Sequence, residues 1–140
     1  MTAPEIAVPP GFAPAGFAIG FLDRGGPYWR RGAGRAATLG LRIEAGHLNY
    51  QDVAHGGVLT TFADVALSYC VHVSEGPAPS LATASLTVNF LSAARLGDWL
   101  EAEARVDRIG KRIAYTSGRI VRGGDTLATM TGVFSIVRRG

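Results

Sequence analysis

The chain has 140 residues, of which 47% are hydrophobic and 18% are charged, and this composition is typical of one globular domain with an apolar core. Its only cysteine, Cys70, excludes a disulfide framework and a zinc site built from several thiolates. The basic residues behind the formal net charge of +3 are scattered rather than clustered, so we expect no binding of nucleic acid.

The N-terminal sequence has no features of a targeting segment. Residues 1–16 hold four prolines among alanines and glycines, which predicts a disordered or loosely ordered tail ahead of a single domain at 17–140. They have neither the basic region nor the apolar run of a signal peptide, and the longest apolar stretch, 58–73, is too short for a membrane span. We therefore expect a soluble, cytoplasmic protein with no membrane contact.

Regular structure is predicted to begin near Arg35. Apolar and polar residues alternate over 37–45, which is the period of a half-buried strand. The apolar block at 57–73 exceeds the usual length of a strand, so we predict one long buried helix there.

Four strands are predicted after this helix, at 82–90, 100–107, 112–122 and 126–137. The inner face of the first of them is predicted to consist of Ala84, Leu86, Val88 and Phe90. Because short links join the runs, we expect a meander of antiparallel neighbours. The economical arrangement is an α+β fold in which one antiparallel sheet wraps around one long central helix.

The sequence lacks the common catalytic motifs, among them Gly-x-Ser-x-Gly, the phosphate-binding Gly-Lys-Ser/Thr loop, His-Glu-x-x-His and Cys-x-x-Cys. Cys70 and His72 are two residues apart and lie on different sides of a helix, so Cys70 is interpreted as a core thiol. The three histidines lack the helical spacing of a metal-binding pair, and we predict no metal site.

Two glycines, Gly56 and Gly57, open the predicted helix. They leave the backbone N–H groups of the helix start accessible to a ligand, and these donors suit a carbonyl oxygen that gains negative charge. The alternative interpretation is a tight turn before a helix. His55, directly before the glycines, either holds the loop by hydrogen bonds or takes part in the chemistry.

Asp64 is the single acidic residue in the predicted helix, and its neighbours Ala63 and Val65 are apolar. A carboxylate in such surroundings is a candidate general base. Thr60 and Ser68 lie four residues to either side, so a solvated polar stripe is the alternative interpretation.

The spacing of these candidates predicts a site shared by two chains. Gly57 and Asp64 are about 10 Å apart along the helix axis, which is too far for one reacting carbon to meet both in a single chain. Two antiparallel helices in a twofold dimer remove this conflict, because the glycine end of one helix then lies beside Asp64 of the other.

The constellation Asn49…His55-Gly56-Gly57…Asp64 at the start of the central helix resembles the hotdog-fold acyl-CoA thioesterases of the phenylacetate-degradation type. The resemblance implies that Asp64 is the general base or the nucleophile at the thioester carbon. It also implies that the backbone N–H of Gly56 or Gly57 polarises the carbonyl, and that Asn49 and His55 position the thioester or the water.

Further expectations follow from the same resemblance. The hydroxyl of Thr83 matches a group that assists in some relatives, and members of the family form dimers that pair into homotetramers without a metal or cofactor. One position departs from the family, which commonly has Gly three residues after the Asn, whereas this chain has Asp52. This departure concerns the shape of the loop before the helix and the substrate pocket.

The predicted function is hydrolysis of an acyl-CoA thioester to a free acid and CoA. Arg95, Lys111 and Arg112 are candidates for binding the CoA phosphates, with a solvated strand edge as the alternative role. A non-catalytic protein that binds acyl thioesters is the second hypothesis, and a hotdog dehydratase or hydratase, whose sites pair His with Asp or Glu at another spacing, is the third. The acyl group is not predicted.

Overall fold

The computed structural model describes residues 7–74 and 78–137. The helices of this part are α1 (Leu22–Gly25) and α2 (Gly56–His72), and short 3-10 helices occupy Gly34–Ala36 and Ala45–His47. The strands are β1 (Phe12–Pro14), β2 (Tyr28–Arg31), β3 (Thr38–Arg42), β4 (Ser80–Phe90), β5 (Trp99–Ile109), β6 (Ile113–Arg122) and β7 (Asp125–Val137).

The seven strands form one antiparallel sheet in the order β1-β2-β3-β5-β6-β7-β4. Helix α2 packs across the inner face of this sheet, against β4 to β7. The fully buried core between them includes Phe62 and Leu67 from the helix and Leu100 and Phe134 from the sheet. The predicted α+β architecture, a sheet wrapped around one long helix, is confirmed.

The predicted order of the last four strands is wrong at one position. Strand β4 pairs with β7 and lies at the edge of the sheet, whereas the predicted meander placed it beside β5. Residues 91–98 carry the chain across to β5, so the meander consists of β5, β6 and β7 alone. A link of this length fits a hairpin or a crossing equally well, and alternation within a strand does not identify its neighbour.

The N-terminal region is more ordered than its composition predicts. Residues Phe12–Pro14 form β1 and pair with β2, so the expected loose tail does not extend over this strand. The N–H of Ala15 then donates to the carbonyl oxygen of Tyr28 at 3.0 Å. Residues 1–6 lie outside the described part of the chain. Strands of three and four residues are too short for a period to be recognised.

Strand β4 changes its inward-facing set at a bulge between Thr83 and Ser85. Before the bulge, the Thr83 side chain contacts α2; after it, Leu86 and Val88 pack against the core. Ala84 is exposed, so its predicted inward orientation is wrong. A bulge adds one residue to one strand and thereby moves the following side chains to the other face.

A glycine lets the helix approach the sheet closely. A Cβ atom on Gly132 of β7 would lie 2.9 Å from the Phe134 ring and 3.1 Å from Cδ1 of Leu67 in α2. A larger residue at this position would push the helix away from the strand.

Among the described helices, none is both long and apolar enough to cross a bilayer.

Candidate active site

The loop before α2 is shaped by the side chain of Asn49. Its Oδ1 accepts hydrogen bonds from the N–H groups of Gln51 at 2.9 Å and Val53 at 3.3 Å. The backbone N–H of Asn49 donates to the carbonyl oxygen of Val53 at 2.8 Å. Asn49 therefore closes the turn that leads into the helix, and its amide oxygen is occupied by the protein's own backbone.

Asp52 lies in this turn with a φ of 60°. This left-handed conformation favours glycine, and Asp is one of the few other residues that tolerates it. The backbone of this chain thus adopts at Asp52 the conformation that a glycine at the same position would adopt readily.

His55 caps the start of α2. Its Nδ1 accepts a hydrogen bond from the N–H of Gly57 at 2.8 Å, so a neutral His55 carries its proton on Nε2. Its backbone N–H donates to the carbonyl oxygen of His47 at 2.8 Å. The buried His47 accepts from the Glu44 N–H through Nδ1 and donates from Nε2 to the carbonyl oxygen of Gly25 at 2.9 Å.

The two glycines at the helix start differ in what their N–H groups do. The N–H of Gly57 is bound to His55, whereas that of Gly56 has no acceptor among the described residues. The sequence left either glycine as the candidate donor. The geometry favours Gly56, whose N–H is open to a ligand at the positive end of the helix dipole.

Asp64 lies in the middle of α2 and is half-buried. The hydroxyl of Thr83 in β4 donates to its Oδ1 at 2.6 Å, which is the length of a strong hydrogen bond to a carboxylate. No donor among the described residues contacts Oδ2, so this oxygen is open to a ligand or a water molecule. The structure therefore joins two of the predicted site residues, Asp64 and Thr83.

Gly56 and Asp64 are not brought together within one chain. They are eight residues apart in a continuous helix, or about 12 Å along its axis. Both lie beside the edge strand β4: Thr83 contacts Asp64, and a Cβ on Gly56 would lie 3.6 Å from the ring of Phe90. Phe90 is 52% exposed although it is a large apolar residue. The position of Phe90 beside the glycines was not predicted from the sequence.

The three basic candidates lie at opposite ends of the chain's sheet. Arg95 forms a bridge with Val53 near the start of α2, while Lys111 and Arg112 lie in the turn between β5 and β6. The Arg112 carbonyl oxygen accepts from the N–H of Ile136, close to where β4 begins. One chain alone does not assemble these three residues into a single phosphate site.

Two hollows border α2 and were not predicted. The first, about 590 Å³, lies at the helix start between His55, Gly57 and Arg24. The second, about 260 Å³, lies further along the helix and is lined by Phe17, Leu22, Val65, Ser68, Tyr69 and Leu81, among others. Both use residues 17–25, a segment whose irregular sequence carries no periodic signal.

Comparison with known proteins agrees with the predicted resemblance. Residues 51–129 match the model of the thioesterase superfamily. "Putative esterase PA0474" of Pseudomonas aeruginosa is 41% identical over 130 residues, with 92% of this chain and 97% of that protein covered. Human "Acyl-coenzyme A thioesterase 13" is 29% identical over 77 residues, covering 55% of this chain and 54% of that protein.

The structural comparison concerns the fold. The PaaI protein from the phenylacetic acid degradation operon of E. coli superposes with a TM-score of 0.67 at 27% identity, with 73% of this chain and 72% of that chain covered. The antiparallel sheet around one long helix is the hotdog fold, and the resemblance predicted from the sequence is confirmed.

Proposed function

The chain belongs to the thioesterase superfamily, and we propose that it hydrolyses an acyl-CoA thioester to a free acid and CoA. The observation that carries the proposal is the pair of unoccupied groups beside β4: the N–H of Gly56 and Oδ2 of Asp64. Hydrolysis of a thioester requires activation of the attacking group and stabilisation of the developing oxyanion, and these two groups meet the two requirements. A human relative named as an acyl-coenzyme A thioesterase supports the choice of substrate.

Each site residue has a separate role in this mechanism. Asp64 either takes a proton from the water that attacks the thioester carbon, or attacks this carbon itself to give a mixed anhydride that water then hydrolyses. On both routes the carbon–sulfur bond breaks and CoA leaves as the thiol, while Thr83 holds the other carboxylate oxygen of Asp64. The N–H of Gly56 donates to the carbonyl oxygen as negative charge develops there. His55 and Asn49 are positioning residues, because their hydrogen bonds hold the helix start and the loop before it.

We further propose that two chains share each site. In the described structure β4 pairs with β7 on one side only, and an open strand of 11 residues is a template for pairing with another strand. A twofold axis perpendicular to the sheet at this edge pairs β4 with its copy and sets the two α2 helices side by side and antiparallel. Asp64 then faces Gly56 of the partner subunit across the interface. Such dimers pair into tetramers in the proposed assembly.

The same dimer accounts for the scattered basic residues. Antiparallel pairing along β4 brings the end of one chain that carries Lys111 and Arg112 towards the end of the other that carries Arg95. In the proposed complex these residues bind the CoA phosphates, to which arginine is suited by its planar fork of donors.

The test is to incubate the protein with a panel of acyl-CoAs and a thiol reagent, while enoyl-CoA hydration is followed in parallel. Thiol release with no hydration is expected. The Asp64→Asn variant retains the size of the side chain and loses the base, so its kcat should fall by about 100-fold or more with the fold intact by circular dichroism. Tight binding without turnover would instead support an acyl-thioester-binding protein, and hydration activity would support a hydratase.

A further inference from the structure

The cavity of about 260 Å³ borders α2 from Val65 onwards, one residue after Asp64. Its lining residue Ser68 follows Asp64 by four residues, so these two side chains lie on the same face of α2. Across the cavity, Leu81 lies two residues before Thr83, whose hydroxyl binds Asp64. A group attached to a carbon at Asp64 can therefore extend directly into this cavity.

The Phe17 side chain forms part of the cavity wall. Its ring lies 5.3 Å from the ring of Tyr69 and 6.5 Å from that of Tyr28, and Phe17 packs against the core. The segment is held before Phe17 by the hydrogen bond from Ala15 to Tyr28, and after it by Leu22, which packs against the core at the start of α1. Phe17 is thus a fixed wall, although it belongs to an irregular segment.

The cavity suits a compact and uncharged group. Its lining is mostly apolar and includes no Asp, Glu, Lys or Arg, and its polar members are Ser68, Tyr69 and His72. An apolar cavity of about 150 Å³ is enough to hold benzene, so the volume here accommodates one ring with a few further atoms, or a short chain.

We propose that this cavity receives the acyl group and that Phe17 sets the upper limit on its length; this inference rests on the proposed thioester hydrolysis. Phe17 is then a specificity-determining residue contributed by the N-terminal segment. Preferred substrates carry a compact apolar acyl group, and longer chains meet the Phe17 ring.

The experiment compares wild type, Phe17→Ala and Ile19→Ala on straight-chain acyl-CoAs of increasing length. Ile19 is 89% exposed in the same segment and lines neither hollow, so its variant is the matched control. In Phe17→Ala the optimum of kcat/KM should move to longer chains, with a gain of about fourfold for each additional buried CH₂. The gain should appear in KM, and Ile19→Ala should keep the length profile of wild type.

A second variant tests the same limit in the opposite direction. Ser68→Leu fills the cavity from the helix side and should shift the optimum to shorter chains. This variant keeps the proposal testable if Phe17→Ala fails to fold. Unchanged length profiles in the folded variants, despite hydrolysis by wild type, would overturn the role of the cavity and leave the proposed function standing.

A binding measurement separates the two proposals. Calorimetric titration with free carboxylic acids of the same lengths requires no turnover. A shift of the preferred length in Phe17→Ala without any thioester hydrolysis would support the cavity assignment and overturn the proposed function. If no acid binds and the length profile of kcat/KM is also unaltered, the cavity assignment is wrong.

Discussion

At the start of α2, the N–H of Gly57 has a partner, whereas that of Gly56 has none among the described residues, and this difference selects the oxyanion donor of the proposed mechanism. The His55 ring binds the N–H of Gly57, which leaves that of Gly56. His55 thereby caps the helix and at the same time restricts the choice of donor to one residue.

The donor can be removed without disturbing the helix. Proline is favoured at the first position of a helix, which Gly56 occupies. His55 has the extended conformation (φ −60°, ψ 138°) that suits a residue before proline. A Cβ on Gly56 would meet only the Phe90 ring, at 3.6 Å. We predict that Gly56→Pro folds but loses about 100-fold or more of kcat, because the N–H is gone. Gly56→Ala keeps the N–H and is the control. Equal steady-state kcat values for the two variants would contradict the assignment.

Cys70 takes no part in the proposed chemistry. Burial, and to a smaller extent the charge of Asp107, raises the pKa of its thiol to about 12, and its Sγ–H donates to the carbonyl oxygen of Leu67 at 3.0 Å. Since the thiolate is the reactive form, we predict that iodoacetamide at pH 8 modifies Cys70 at least about 100-fold more slowly in the folded protein than in the unfolded one. Mass spectrometry of timed samples measures both rates. Similar rates would show an accessible, ionised thiol.

At the scale of elements, the link between β4 and β5 is anchored by Asp98. Its Oδ2 accepts from the N–H of Arg95 at 2.8 Å and from the guanidinium of Arg122 in β6 at 2.7 Å. Partial desolvation raises the pKa of Asp98, but these two bonds outweigh it and the net pKa is lowered from 3.8. The unfolded chain therefore binds a proton more readily at this residue than the folded chain.

The stability that Asp98 contributes is present above its unfolded pKa and is lost as the pH falls below about 4. We predict that Asp98→Asn lowers Tm at pH 7 and shows a smaller further loss of Tm between pH 5 and pH 3 than wild type. Differential scanning calorimetry across this range measures both effects. Asp23→Asn is the control, because Asp23 is exposed and has no side-chain partner among the described residues. If Asp98→Asn lost as much Tm between pH 5 and pH 3 as wild type does, the protonation of Asp98 would not be a cause of the loss of stability in acid.

An element could be predicted from the sequence only if it is long enough to show a repeating pattern of apolar and polar residues. Strands β5 to β7 and helix α2 pack a regular face against the core. The strands were therefore predicted from the alternation of apolar and polar residues, and the helix from the length of its apolar block. Strands β1 and β2 and helix α1 have three or four residues each and no period. The position of β4 beside β7 depends on contacts between distant parts of the chain, which a local pattern does not encode.

Some features of the candidate site could likewise be predicted from the sequence, and others could not. Asp64 and the pair Gly56-Gly57 stand out because their residue types are unusual within an apolar helix, so the sequence marked them as candidates without choosing between the two glycines. The capture of the Gly57 N–H by His55 depends on a side-chain rotamer, and the wall formed by Phe17 depends on an irregular segment folding back over the helix. Neither feature has a spacing that could be recognised before the structure.

At the scale of the whole molecule, the proposed dimer accounts both for the open edge of β4 and for the separation of Gly56 from Asp64 within one chain. One chain places the Asp64 carboxylate about 12 Å from its own free Gly56 N–H along the helix axis, and both groups lie beside the edge strand β4. In the proposed dimer, pairing of β4 with its copy closes this edge and brings Asp64 of one chain to Gly56 of the other. An active monomer is therefore not expected.

Mixing two inactive variants tests this shared site. Asp64→Asn lacks the carboxylate and Gly56→Pro lacks the donor, so a mixed dimer has one site with both halves intact and one with neither. After unfolding and refolding together, random pairing should recover about a quarter of the activity of wild type treated in the same way. Each variant refolded alone is the control and should stay inactive. Differently tagged chains verify that mixed dimers form, and mixed dimers without activity would rule out a site built from two chains.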